Sequence, residues 1–196
     1  MSILDLRRTI GAGFGIAALL LALPTDGMAQ QKFSFDSRGG IALPAGQLND
    51  AFDPGASLGA MVGYQVTSRV SLFGSGDLGL LRGRKIAAGS SEREKGLNLW
   101  QYSGGAEVNL LDPGRTRWGV LASLGAGAAT YDSKVEGAVS RTRFSTNGGL
   151  RVAYRLGQRA DAFLGGQSYL IFTDEELQGA DTNWVFPVSA GLKIRV

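Results

Sequence analysis

Six charged side chains fall on the small, polar side of segments that alternate apolar and polar residues: Asp77, Glu107, Arg151, Arg155, Lys193 and Arg195. A sheet that turned this side inward would bring them together, and charges removed from water must pair or hydrogen-bond. Such a set either fills and holds an interior or forms an ion gate in a narrow channel. A second group, Arg82-Gly83-Arg84-Lys85 followed by Glu92-Arg93-Glu94-Lys95, reads as a loop. Arg82, Arg84 and Lys85 suit charge-assisted hydrogen bonds to phosphates or another anionic surface; the plainer reading is a solvated loop. Histidine and cysteine are absent. That removes a His-activated serine, thiolate chemistry and the commonest zinc ligands. Glu175-Glu176 is the visible carboxylate pair and reads as loop. No metal cluster and no phosphate-cradling glycine loop stands out, so no enzyme activity, cofactor or metal is expected. The net charge of +3 is mild, and no basic stripe with interleaved aromatics marks a nucleic-acid partner.

The elements that must position these charges are strands. At the end of the chain, Trp184, Phe186, Val188, Ala190, Leu192, Ile194 and Val196 alternate with Val185, Pro187, Ser189, Gly191, Lys193 and Arg195. Successive strand side chains point to opposite faces, so one face here is greasy and the other small or polar. The same pattern recurs over 57–64, 69–80, 100–110, 118–126 and 144–155. Segment 160–172 is less clean, because Phe163, Tyr169 and Ile171 share a face with Asp161 and Gln167. The first segment, 32–43, is the least regular and contains Asp36 and Arg38. Eight segments of about ten residues match tilted membrane-spanning strands.

Connections alternate in length. Segments 65–68, 112–115 and 157–158 are short; 45–54, 82–95, 132–141 and 173–183 are longer and polar. This alternation predicts an all-β, eight-stranded, antiparallel up-and-down barrel. Such a barrel is filled by side chains and leaves no wide pore. Glycine is plentiful at 30 residues, and Gly104, Gly125, Gly127, Gly148, Gly149, Gly165 and Gly166 suit a tightly curved wall.

A water-soluble ligand-binding barrel would show the same alternation with its faces reversed. The aromatics separate the two. Trp100, Phe144, Phe172 and Trp184 lie on apolar faces beside long connections, and Tyr64, Trp118 and Tyr154 lie on apolar faces beside short ones. Two aromatic belts around an aliphatic band are expected of a transmembrane β-barrel.

Residues 1–29 read as an export signal. Arg7 and Arg8 precede an apolar run over 10–23, and Gly27-Met28-Ala29 offers small residues for cleavage after Ala29. The run is short for a membrane helix, which needs about 20 residues. Residues 30–196 then form the barrel domain, long enough for a single core.

Residues 30–196 resemble the small outer-membrane β-barrel proteins, the OmpA-like transmembrane domain and OmpX–Ail group. The resemblance rests on Gly39-Gly40-Ile41-Ala42-Leu43-Pro44, Gly59-Ala60-Met61-Val62-Gly63-Tyr64 and Ser189-Ala190-Gly191-Leu192-Lys193-Ile194-Arg195-Val196. It implies the cell outer membrane, with both termini periplasmic and long loops outside. It implies lipids and lipopolysaccharide as neighbours, and the barrel-assembly machinery as partner during biogenesis. Members commonly end in Phe or Trp, whereas this chain ends in Val196. The lipid A deacylases and acyltransferases among small barrels are built on a His with Ser and an acid, and this chain has no His. The expected role is non-enzymatic: envelope integrity, surface interaction through external loops, or both. The alternatives are a narrow, weakly conducting pore and a soluble periplasmic binding barrel. Nothing demands more than a monomer.

Overall fold

The computed structural model describes residues 32–84, 95–111, 116–133, 140–172 and 182–196. Eight strands form one closed antiparallel barrel in sequence order. They are β1 (Phe33–Ala45), β2 (Phe52–Gln65), β3 (Val70–Gly83), β4 (Leu97–Leu111), β5 (Trp118–Ser133), β6 (Arg141–Arg155), β7 (Ala160–Phe172) and β8 (Thr182–Arg195). The expected fold is present, with β8 pairing back onto β1 from Ser34↔Arg195 to Ala45↔Trp184. Closure leaves no sheet edge with unpaired backbone groups, the condition for strands to cross a membrane. No helix among the described residues is long and apolar enough to cross one. The export-signal reading of 1–29 lies outside the described residues.

Burial follows the two-residue period. On β8, Asn183, Val185 and Pro187 are buried while Trp184, Phe186 and Val188 are exposed. The exposed face is the apolar one: Leu124 is 73% exposed, and Leu150 and Leu164 are 61% each. The buried face holds Asp36, Asp77, Glu107, Arg151 and Asp161. The barrel therefore keeps its buried charges inside, beside apolar side chains, and is greasy outside, the reverse of a water-soluble barrel.

The aromatics pair on the outer face, three times across strands and once along β8. Phe33 packs on Tyr64 with centroids 5.0 Å apart, and Trp118 meets Tyr154 at 4.9 Å, both at the short-turn end. Phe144 stacks on Phe172 at 5.7 Å, and Trp184 on Phe186 at 5.9 Å, at the other end.

The first connection departs from expectation. Segment 45–54 is not a long polar loop. It is a one-turn helix, α1 (Gln47–Ala51), entered through Gly46 at φ 62°, a left-handed conformation that glycine adopts without strain. Buried Leu48 makes it compact by anchoring it against the barrel. β2 starts at once at Phe52 and absorbs the misfit in an irregular register between Asp53 and Ala56. Strand β3 also runs further than expected, so Arg82 belongs to its end. Turn 66–69 is held by Thr67, whose Oγ1 accepts from the Arg69 and Val70 amides at 3.2 and 3.0 Å.

The glycines divide by face. A side-chain carbon at Gly125, Gly127, Gly149 or Gly165 would press on neighbouring groups, whereas Gly104, Gly148 and Gly166 have room. Curvature does not require the latter three. Gly59 is the tightest functional case: a side chain there would strike the Asp77 carboxylate and Arg38 Nε. Gly59→Val should lower stability by about 1–3 kcal/mol through overpacking. Gly74→Val, at a position with no atom within 4 Å of the added carbon, should be near neutral. Denaturant midpoints of the two variants check this; equal losses would contradict it.

Candidate functional site in the lumen and at its mouths

The lumen is layered. At the long-connection end, Ala42, Leu81, Leu97, Leu99, Ala129, Ile171 and Val185 gather around Leu48 of α1, with Phe52 and Tyr131 packed against them. Leu99, Ala129 and Ile171 are fully buried. This apolar plug closes that end of the barrel.

Beneath it sits a first ion pair. Arg38 on β1 reaches over Gly59 to Asp77 on β3, with Nε to Oδ1 at 2.8 Å and Nη2 to Oδ2 at 2.6 Å. The two-pronged geometry satisfies both carboxylate oxygens. Tyr169 Oη on β7 donates a further bond to Asp77 Oδ2 at 2.7 Å. On the neighbouring wall, the hydroxyls of Ser75 and Ser103 bond across β3 and β4 at 2.8 Å.

Nearer the short-turn end lies a four-member cluster. Arg151 Nη1 bonds Asp36 Oδ2 at 2.6 Å, and its Nη2 pairs with Glu107 Oε2. Lys193 Nζ bonds Glu107 Oε1 at 2.9 Å. The Arg151 guanidinium lies 4.9 Å from the centroid of Phe163, a cation–π arrangement. Phe163 packs with Leu121 and Ala153 in a small second core. At the mouth itself, Arg195 pairs with Asp161. Each of the three groups balances its own charge.

Five of the six candidate lumen residues thus join ion pairs, but not all with the expected partners. Asp77 is matched by Arg38 and Arg195 by Asp161. Among the described residues Arg155 joins none, and its Nε is buried without a hydrogen-bond partner there. Asp36, Arg38, Asp161 and Tyr169 complete the network and were not among the candidates. Their inward parity on β1 and β7 was the available signal, masked by the irregularity of those two segments.

At the long-connection end, Arg82 is exposed on β3. Arg84 donates from Nη1 to the Asp50 carbonyl at 2.9 Å, tying the β3–β4 connection to α1. Lys85 lies outside the described residues. No group of three or more His, Cys, Asp or Glu among the described residues could hold a metal.

Neither family models nor curated protein sequences match the chain. Solved structures do. Neisserial surface protein A aligns with TM-score 0.64 over 84% of this chain and 97% of its own, at 14% identity. The N-terminal β-barrel domain of Pseudomonas aeruginosa OprF gives 0.53 over 84% and 98%, at 14% identity. The P. aeruginosa outer membrane protein OprG gives 0.53 over 84% and 97%, at 13% identity. The fold is that of the small outer-membrane β-barrels. Within this small-barrel fold, the present chain carries a lumen blocked by an apolar plug and crossed by three ion-paired groups.

Arg151→Met should cost about 3–5 kcal/mol, because it strands Asp36 in the lumen. Adding Asp36→Leu should recover most of that loss, since Glu107 keeps Lys193. Arg155→Met should cost less than about 1 kcal/mol. Guanidinium unfolding of the refolded barrel measures all three. A double variant as unstable as Arg151→Met alone would count against the pairing.

Proposed function

We propose that the protein is a non-enzymatic barrel of a Gram-negative outer membrane that contributes to envelope integrity, to surface contact at its long-connection end, or to both. The observation that carries this reading is the outer surface: exposed leucines and valines framed at both ends by cross-strand aromatic pairs. Such a belt suits hydrocarbon between two interfaces, where ring bodies and polar tips meet different solvents. With an export signal at 1–29, the short turns and both termini face the periplasm and the long connections face outward. Arg82 and Arg84 then stand where lipopolysaccharide phosphates are within reach, with Lys85 as their neighbour in sequence. The barrel-assembly machinery inserts the chain, which acts as a monomer.

A narrow pore is the second reading, favoured by the line of charged groups down the lumen. The plug around Leu48 argues for a non-conducting resting state, so planar-bilayer recordings should lack discrete unitary steps. Regular steps would favour the pore.

Heat-modifiable gel mobility in the outer-membrane fraction tests residence directly; recovery wholly in the soluble periplasm would overturn it. The belt makes a sharper prediction. Leu124→Arg, at the most exposed apolar position, should cost about 2–4 kcal/mol of folding into vesicles. Asn49→Arg, exposed on α1, should stay within about 0.5 kcal/mol. Equal tolerance, read by guanidinium titration in lipid, would count against the belt facing lipid.

A further inference from the structure

The short-turn rim carries a regular ring of cations. Lys32, Arg69, Arg117 and Arg159 each stand immediately before the first residue of a strand: Phe33 of β1, Val70 of β3, Trp118 of β5 and Ala160 of β7. The four are equivalent in the ladder. Their carbonyls accept the last hydrogen bonds from Gln65, Asn109, Arg155 and Arg195 at 2.6, 2.8, 2.8 and 2.8 Å. The ring therefore lies at one level, with one cation on every second strand, and all four residues are exposed. Arg155, which joins no ion pair among the described residues, ends β6 at the same mouth. Among the described residues the carboxylate side chain at this rim is Asp161, already engaged by Arg195.

The ring sits at the depth of the aromatic pairs. Lys32 adjoins Phe33, which packs on Tyr64. Arg117 adjoins Trp118, which packs on Tyr154, and Arg117 Nη1 donates to Tyr154 Oη at 3.3 Å. Aromatic side chains of this kind mark the headgroup level of a bilayer. Cations at that level meet lipid phosphates, which guanidinium groups bind in two-pronged fashion. We infer that Lys32, Arg69, Arg117 and Arg159 form a docking ring for the phosphates of anionic phospholipids in the leaflet at the short-turn end. The inference rests on the membrane reading and adds a lipid class and a face to it. An acidic periplasmic polymer is the competing occupant of the same charge.

Trp118 reports on the ring from inside it. With Trp100→Phe and Trp184→Phe it becomes the sole tryptophan. The barrel is reconstituted in phosphatidylcholine vesicles carrying a small fraction of brominated phosphatidylglycerol or brominated phosphatidylcholine. At low salt the anionic quencher should be more effective by about twofold or more, because an anionic headgroup is enriched beside clustered cations. High salt should erase the difference. So should Lys32→Gln, Arg69→Gln, Arg117→Gln and Arg159→Gln together, which leave the ladder carbonyls in place; heat-modifiable mobility verifies that this variant folds. Equal quenching by both lipids in the parent overturns the inference while leaving membrane residence intact. A preference that survives the four substitutions also overturns it. Quenching by neither lipid means that the barrel is not in the bilayer, and both readings fall. Parity in vesicles together with ring-dependent retention on polyglutamate assigns the ring to an acidic polymer and overturns the lipid assignment.

Discussion

The seam between β1 and β8 runs without interruption from Ser34↔Arg195 to Ala45↔Trp184, and it converts a sheet with two edges into a cylinder. A cylinder of eight strands is too narrow to hold bulk water, so its interior must be solid side chain. An apolar exterior forces the polar set inward. A narrow polar interior in turn forces each charge to find an opposite charge within reach. Arg38–Asp77, Asp36–Arg151–Glu107–Lys193 and Arg195–Asp161 are the result. The glycine at 59 belongs to the same logic, since the first pair passes through space that a side chain there would occupy.

The two ends of the lumen are finished differently. At the long-connection end the plug is apolar and includes a residue from outside the sheet, Leu48. At the short-turn end, paired charges reach the mouth and exposed cations surround it. The barrel is thus chemically polarised along its axis although its strands are nearly equal in length. That polarity gives the two faces different partners: a closed cap with polar connections at one side, and a cationic rim at the other.

Much of this was legible in the sequence. The two-residue period located all eight strands, and the small-and-polar face named Asp77, Glu107, Arg151, Lys193 and Arg195 as lumen residues. Partner choice was not legible, because it depends on the stagger of the sheet. Arg38 and Asp77 are 39 residues apart, and Asp36 and Arg151 are 115 apart; no local pattern relates them. Asp36 and Arg38 fell in the least regular segment, where charge masks alternation. Segment 45–54 is rich in turn formers and reads as loop. Its helix is one turn long and has no side-chain cap, so it is anchored by tertiary contacts alone: buried Leu48 and the Arg84 bond to the Asp50 carbonyl. Arg155 was assigned to the correct face and stands opposite Asp161 in the β6–β7 register, but Arg195 takes that carboxylate.

Every hydrogen-bonded strand pair except β1–β8 joins neighbours in sequence. The seam therefore holds nearly all of the long loop closure in the fold, and long closures are slow. β1 also contributes Asp36 and Arg38, one member to each of the two central ion-paired groups. Until the two ends of the barrel chain meet, Arg151 lacks Asp36 and has only part of its compensation, whereas Arg38 can already meet Asp77 across β2. The last event of assembly is then the most strongly rewarded one. A nearly finished cylinder is discouraged from lingering open, and order of assembly is written into where the first strand keeps its charges.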